Sequence, residues 1–297
     1  MKALSEKQYG LWTAIDYKKT KNKLMYAVMA FILLALSVVC LFPPVWLLLS
    51  SFKDVKEFLS IPPTLFPKSF HPEKLVEVWN SMSFWKYYLN TLTMAAGDLT
   101  VCLISTGLGG YVLSRMRPKG IKAVFALIMW TMMMPNSISM VPLFMSFIDY
   151  TPLHLNLTNT YIPMWMMAGA NTFYILVFKS FFDGIPISYV EAARIDGCSD
   201  GGIFTRIILP LSKPVLMVIG IFSLNGSWEN FMWPYLILKD PKFYTVAVQI
   251  FSMKNSSWAV DSYICALVFA ILPPAILFII FQKHIMTGFT MGGGVKG

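Results

Sequence analysis

Leu24-Met-Tyr-Ala-Val-Met-Ala-Phe-Ile-Leu-Leu-Ala-Leu-Ser-Val-Val-Cys-Leu-Phe-Pro-Pro-Val-Trp-Leu-Leu-Leu49 contains no charged residue. A helix that crosses a bilayer needs roughly 20 mostly apolar residues, so this stretch suffices alone. Working outward from it, five more stretches of the same kind occur, over residues 89–112, 123–148, 161–182, 215–238 and 263–281. Composition agrees. The chain has 297 residues, 56% hydrophobic and 13% charged, with mean hydropathy +0.61. A soluble domain is about 45–50% apolar and about 25% charged. Too little polar surface remains for a soluble enzyme, a disordered chain or a nucleic-acid binder, despite a net charge of +9. The expectation is an all-α membrane protein with six transmembrane helices, and an even count puts both termini on one side.

The polar residues before the first span, and that span's length, read as a retained anchor rather than a cleaved signal peptide. Lys and Arg favour cytoplasmic loops. Of the 24 Lys and Arg, sixteen fall on the side of the termini, among them Lys18, Arg115, Arg194 and Lys283. Both termini are therefore expected to be cytoplasmic. This divides the chain into a cytoplasmic segment 1–23, a transmembrane domain 24–285 and a tail 286–297. Within the domain lie an outer segment 51–88, rich in Pro and aromatics, and an inner loop 183–213. The four cysteines form no CxxC pair, so neither a disulfide framework nor a zinc site is indicated.

Several spans carry Pro or Gly in mid-run, including Pro43-Pro44, Pro135, Pro142, Gly169 and Pro273-Pro274. Lipid tolerates such breaks where protein or a water-lined cavity satisfies the freed backbone. They fit packing kinks or a transport path. Polar residues inside spans are costly and usually face inward. Asp98, Asn136, Asn171, Asn225, Glu229 and Asn230 are of this kind, with Trp228 beside them. Asn225 and Glu229 are four apart and share a helix face. Amides and a carboxyl amid indole rings suit a sugar, whose hydroxyls need paired donors and acceptors while its C–H faces stack on aromatics. The same residues also suit plain helix bridging.

The inner loop reads Pro186-Ile-Ser-Tyr-Val-Glu-Ala-Ala-Arg-Ile-Asp-Gly-Cys-Ser-Asp-Gly-Gly-Ile-Phe-Thr-Arg-Ile-Ile-Leu-Pro-Leu-Ser-Lys-Pro214. Ser188 and Glu191 have the spacing of a capping box. Gly197 suits the left-handed end of a first short helix. Ser199 caps a second, expected to end at Pro210, with Ile203/Ile207 and Phe204/Ile208 forming an apolar stripe. Ala192 and Ala193 keep the first helix thin. Such a pair either lies on the bilayer or is buried by a partner.

Glu191-Ala192-Ala193, Asp196-Gly197, Phe204, Ile207 and Leu209-Pro210 resemble the EAA loop of permease subunits of bacterial ABC importers. Nearly the whole chain is similar to the sugar branch of that family, with Trp228-x-x-Phe231-x-x-Pro234 and the Gly-rich tail 292–297 in agreement. Cys198, where the family usually has alanine, and Gly201-Gly202 depart from it. The resemblance implies a type I importer architecture in the bacterial cytoplasmic membrane. It implies a coupling role for the nine EAA-loop residues just named, with Glu191 meeting a basic group of an ATPase. It also implies a second, non-identical permease, an ATPase dimer that uses ATP and Mg, an extracytoplasmic solute-binding protein and a sugar cargo. The chain has no G-x-x-x-x-G-K-[ST], so no ATP cradle, catalytic group or cofactor is expected in it, and no nucleic-acid partner. Two alternatives stay open: a different small polar cargo, and an ion-coupled secondary sugar transporter in which Asp98 and Glu229 bind the ion.

Overall fold

The computed structural model describes residues 20–150, 154–254, 256 and 258–293. Helices dominate, and among the described residues the only strand-like pairing is a single bridge between Tyr150 and Leu155. The chain divides into two compact units, residues 1–74 and 75–297.

The first unit holds α1 (Thr20–Ser50), which contains the opening apolar stretch. Its apolar side chains are exposed all around the helix, Phe31, Leu34 and Val39 among them. A helix apolar on every side is a core helix or a membrane span. The short α2 (Val55–Phe58) follows. Residues 51–74 are tied by polar contacts: Lys53 donates to the Thr64 carbonyl, Glu57 accepts from Thr64 and the Lys68 amide, and Lys74 meets Asp54 at 3.0 Å. Phe52 stacks on Phe70. Residues 51–74 of the outer segment are therefore ordered.

The second unit begins within α3 (Glu73–Ser81). Next come α4 (Phe84–Tyr111), a π-helical turn at Val112–Met116, α5 (Ile121–Met133), α6 (Asn136–Ile148), α7 (Ile162–Gly169) and α8 (Thr172–Asp183). The inner loop forms α9 (Ile187–Ile195), α10 (Asp200–Ile203), a π turn at Phe204–Ile208 and α11 (Leu209–Leu211). Then follow α12 (Lys213–Glu229), α13 (Met232–Ile237), α14 (Val246–Lys254) and α15 (Val260–Gly293). Among the described residues, three helices can by length and composition cross a membrane unbroken: Asn22–Ser50, Phe84–Met116 and Val260–Gln282. Three bent pairs pass the same test jointly, which brings the number to six.

Packing is organised on α4, which touches α7, α8 and α12. Gly110 makes the α8 crossing tight. A Cβ there would lie 2.6 Å from the Phe178 Cβ and 2.9 Å from the Lys179 amide nitrogen. Three of the expected spans are interrupted. The 123–148 stretch breaks at extended Pro135, the 161–182 stretch at Asn171, and the 215–238 stretch at Asn230. At Asn171 the freed backbone is satisfied by the side chain, whose Oδ1 accepts from the Tyr174 amide at 3.1 Å. This is an N-cap for α8, and it fits the need to keep backbone groups paired at membrane depth.

Candidate functional site

A partly open cavity of about 230 Å³ lies among α4, α7, α8, α12 and α13. Two of the helix breaks face it, so Asn171 and Asn230 line its wall together with Asp98 of α4. These are three of the seven path residues expected from sequence. Tyr174, Ser223, Ser227, Trp233, Met164 and Met167 complete much of the lining.

Asp98 is 4% exposed. Ser227 donates to its Oδ2 at 2.7 Å, and the same hydroxyl lies 2.9 Å from the Ser223 carbonyl, so one proton serves two acceptors. This contact joins α4 to α12. Oδ1 of Asp98 is buried and has no hydrogen-bond partner among the described residues. The Asn171 carbonyl oxygen is committed to the α8 cap, which leaves its amide N–H pair as donors.

Of the other four expected path residues, three lie elsewhere. Trp228 is buried beside α15, where its indole donates to the Ala270 carbonyl at 3.0 Å and Tyr88 meets it edge-on at 5.4 Å. That core also contains Val78, Phe84 and Val246. Asn225 and Glu229 do share a face, and the Asn225 amide donates to Glu229 at 2.8 Å, but neither is among the lining residues. Asn136 begins α6, and its side chain lies outside the described residues. The Ser223/Ser227 pair was missed. Its signal was a second i, i+4 polar pair on α12, on another face from Asn225/Glu229.

The inner loop lies across the ends of the spans. The α9 axis is turned 75° from Ile162–Asp183, and Lys213–Glu229 is turned 79° from Asp200–Leu211. Gly197 ends α9 with φ +78°, as its sequence position indicated. Ser199 caps α10 by accepting from the Gly202 amide at 3.3 Å. Two local expectations are corrected. Pro186 is itself extended and starts α9 at Ile187, so Ser188 already lies in the first turn and no capping box forms. Pro210 sits inside α11 rather than ending the helix, because the preceding turn has π-helical pairing and the bend falls at Ser212.

The loop has two faces. Ala193, Ile203 and Ile208 are buried, and they share one apolar core with Cys102, Tyr111, Phe178, Phe182 and Ile219 of the spans. Phe204 packs on Tyr111 at 5.0 Å, and Ile207 and Leu209 are half-buried. Glu191, Ala192, Asp196, Gly197 and Pro210 are exposed, as is Ile195. Arg194 meets Asp200 at 3.0 Å and ties α9 to α10. The root of the loop is gripped from the π-helical turn that follows α4 and from α8. Arg115 donates to the carbonyls of Phe182 and Ile185, while Ser114 and Lys179 donate to the Asp183 carboxylate, each at 2.6 Å. A cation on the last carbonyls of a helix is a favourable C-terminal partner.

Broken apolar helices around a cavity lined by both polar and apolar side chains, with a two-faced helical loop set across their ends, fit a helical membrane permease. The chain belongs to the family described as the binding-protein-dependent transport system inner membrane component, whose model matches residues 103–290. It is 32% identical over 266 residues to the arabinooligosaccharides transport system permease protein of Bacillus subtilis strain 168, covering 88% of this chain and 92% of that one. It is 26% identical over 264 residues to the diacetylchitobiose uptake system permease protein of Streptomyces coelicolor, covering 88% and 86%. Its fold matches a chain in the crystal structure of a bacterial ABC transporter involved in the import of the acidic polysaccharide alginate. That match has TM-score 0.78 and 22% identity, over 89% of this chain and 98% of that one. The architecture is that of a type I importer permease.

Proposed function

We propose that the chain is one permease half of an ATP-driven importer for a sugar or oligosaccharide in the bacterial cytoplasmic membrane. A second, non-identical permease completes the path, and an extracytoplasmic binding protein delivers the cargo. A separate ATPase dimer hydrolyses ATP with Mg and docks on the exposed face of the 183–213 loop. Glu191, Ala192, Asp196, Gly197 and Pro210 meet it there, and Ala193, Phe204, Ile207 and Leu209 hold that face in place. Both termini share the cytoplasmic side with this loop; residues 1–19 and the tail residues 294–297 lie outside the described residues. The catalytic step belongs to the partner, and this chain converts it into movement.

One observation carries the reading. Cys102 lines the cavity and belongs to the same apolar core as Val190, Ala193, Ile203 and Ile208 of the loop. Dense interiors transmit displacement instead of absorbing it. Closure of the ATPases would therefore move the loop and, through that core, the cavity wall. Cargo names carried by the relatives, arabinooligosaccharides and diacetylchitobiose, support a saccharide.

The test is uptake of labelled oligosaccharides by a strain lacking this chain and by the same strain complemented. Chain-dependent uptake that stops on ATP depletion and survives a protonophore supports the reading. Uptake that persists without ATP and collapses with the protonophore overturns it in favour of an ion-coupled carrier.

A further inference from the structure

We propose that the Asp98 carboxyl selects a neutral saccharide, one that offers a hydroxyl donor and carries no carboxylate at this point of the path. The inference rests on the sugar-importer reading and sharpens it to a substrate class. Two observations carry it. Oδ1 of Asp98 is a buried acceptor that no group among the described residues satisfies, in a side chain 4% exposed on the cavity wall. Leaving such an acceptor unpaired is costly. The terminal torsion of an aspartate is soft, so a small turn offers Oδ1 to a donor in the cavity while Ser227 keeps Oδ2. Secondly, none of the described lining residues is Lys, Arg or His. A uronate would leave water against a wall of this chain that offers no counter-charge and already presents a carboxyl, and a buried ion without a partner is strongly disfavoured. A hydroxyl meets neither obstacle. Trp233 and Tyr174 add ring surface suited to the C–H faces of a pyranose.

The discriminating variant is Asp98→Asn. Its remaining oxygen can still accept from Ser227, so the α4–α12 contact survives, while the cavity now meets an N–H donor. The probes are labelled neutral oligosaccharides of arabinose, galactose and N-acetylglucosamine, and an alginate pentasaccharide. They are given to a strain carrying wild-type or variant chain in its otherwise intact importer. Membrane content and the thermal midpoint of the purified chain are measured alongside. The expected result is wild-type uptake of at least one neutral probe and none of the uronate. In Asp98→Asn the neutral uptake falls at least about tenfold, the change expected for one lost hydrogen bond, at unchanged content and midpoint. Wild-type uptake of the alginate fragment overturns the proposal but leaves the importer reading intact. So does unchanged neutral uptake by the variant. A fall in uptake that follows loss of the chain from the membrane assigns the carboxyl to helix packing and also overturns it. If uptake of every probe is independent of the chain, the importer reading fails and the proposal fails with it.

Discussion

Replacing Gly110 by alanine puts a methyl group into the crossing of α4 and α8. The new Cβ would lie 2.6 Å from the Phe178 Cβ, 2.9 Å from the Lys179 nitrogen and 3.1 Å from the Ile175 oxygen. Carbon contacts relax at about 3.5–4.0 Å, so the shortfall is about 1 Å. Two of the three obstacles are backbone atoms, and a rotamer change cannot clear them. The helices must separate, and overpacking of this kind costs about 1–3 kcal/mol. Because α8 leads into the inner loop and is gripped by Arg115, the displacement also reaches α9. Gly201→Ala is the matched control, since nothing lies within 4 Å of the Cβ it would add. Alanine is about 1 kcal/mol better than glycine in a helix, so this change should be neutral or mildly stabilising. Equilibrium unfolding of the purified chain in mixed micelles reads both. Wild-type stability in Gly110→Ala, or an equal loss in Gly201→Ala, would show that the crossing is not as tight as described.

Other outcomes follow from the same geometry. Trp228→Ala should lose about 3–5 kcal/mol of stability by emptying a packed site, and full stability with abolished uptake would instead return Trp228 to the cargo path. Glu191→Ala should leave the unfolding midpoint within about 0.5 kcal/mol of wild type, as exposed sites do, while co-purification with the ATPase drops; normal co-purification counts against the docking face. Gly197→Ala forces a side chain into φ +78° at about 1–2 kcal/mol, and coupled ATPase turnover should fall with little change in the spans. Asp54 is held below the usual carboxylate range, chiefly by its hydrogen bond from Lys74. A depressed folded pKa contributes stability above the unfolded value of about 4, and that contribution is lost as pH falls through the folded value. Protection of the amides of residues 51–74, corrected for the intrinsic pH dependence of exchange, should therefore fall under acid, and Asp54→Asn should shrink that response, Glu57 and Glu73 carrying the rest because they too are held low; an acid response of wild-type size in the variant refutes the assignment.

The spans were legible because a bilayer imposes length and apolarity on contiguous residues, a local rule that one sequence can satisfy visibly. The turn at Gly197 was legible for a similar reason, since a left-handed φ favours few residue types. The start of α9 was not. Ser188 and Glu191 matched the box spacing, but Pro186 is extended and launches the helix at Ile187, one residue before Ser188. The cavity was half legible. Asp98, Asn171 and Asn230 stood out as polar residues in apolar runs. Trp228 looked equivalent to them, and only tertiary placement sends its indole to Ala270 instead. Ser223 and Ser227 were quiet because a hydroxyl in a membrane helix can back-bond to its own chain, and Ser227 does so at 2.9 Å while also reaching Asp98.

Two features that sequence reading treats separately, broken helices and intramembrane polar residues, have one cause here. A backbone break frees N–H and C=O groups that lipid cannot satisfy, so it needs protein or a water-lined cavity beside it; of the three breaks, those at Asn171 and Asn230 turn inward, whereas Pro135 is exposed in this chain alone. The breaks at Asn171 and Asn230 both line the cavity, and at one of them the asparagine itself supplies the missing partner. Once turned inward, the breaks surround polar space and also shorten the rigid segments of α7–α8 and α12–α13. The same segments continue into the apolar core shared with the loop. A wall built from half-length helices can rearrange by discrete steps at Asn171 and Asn230, whereas unbroken spans would have to tilt whole. Stiffening either break with alanine would then slow the cycle more than it weakens cargo contact, and an effect confined to apparent affinity would locate the moving joint elsewhere.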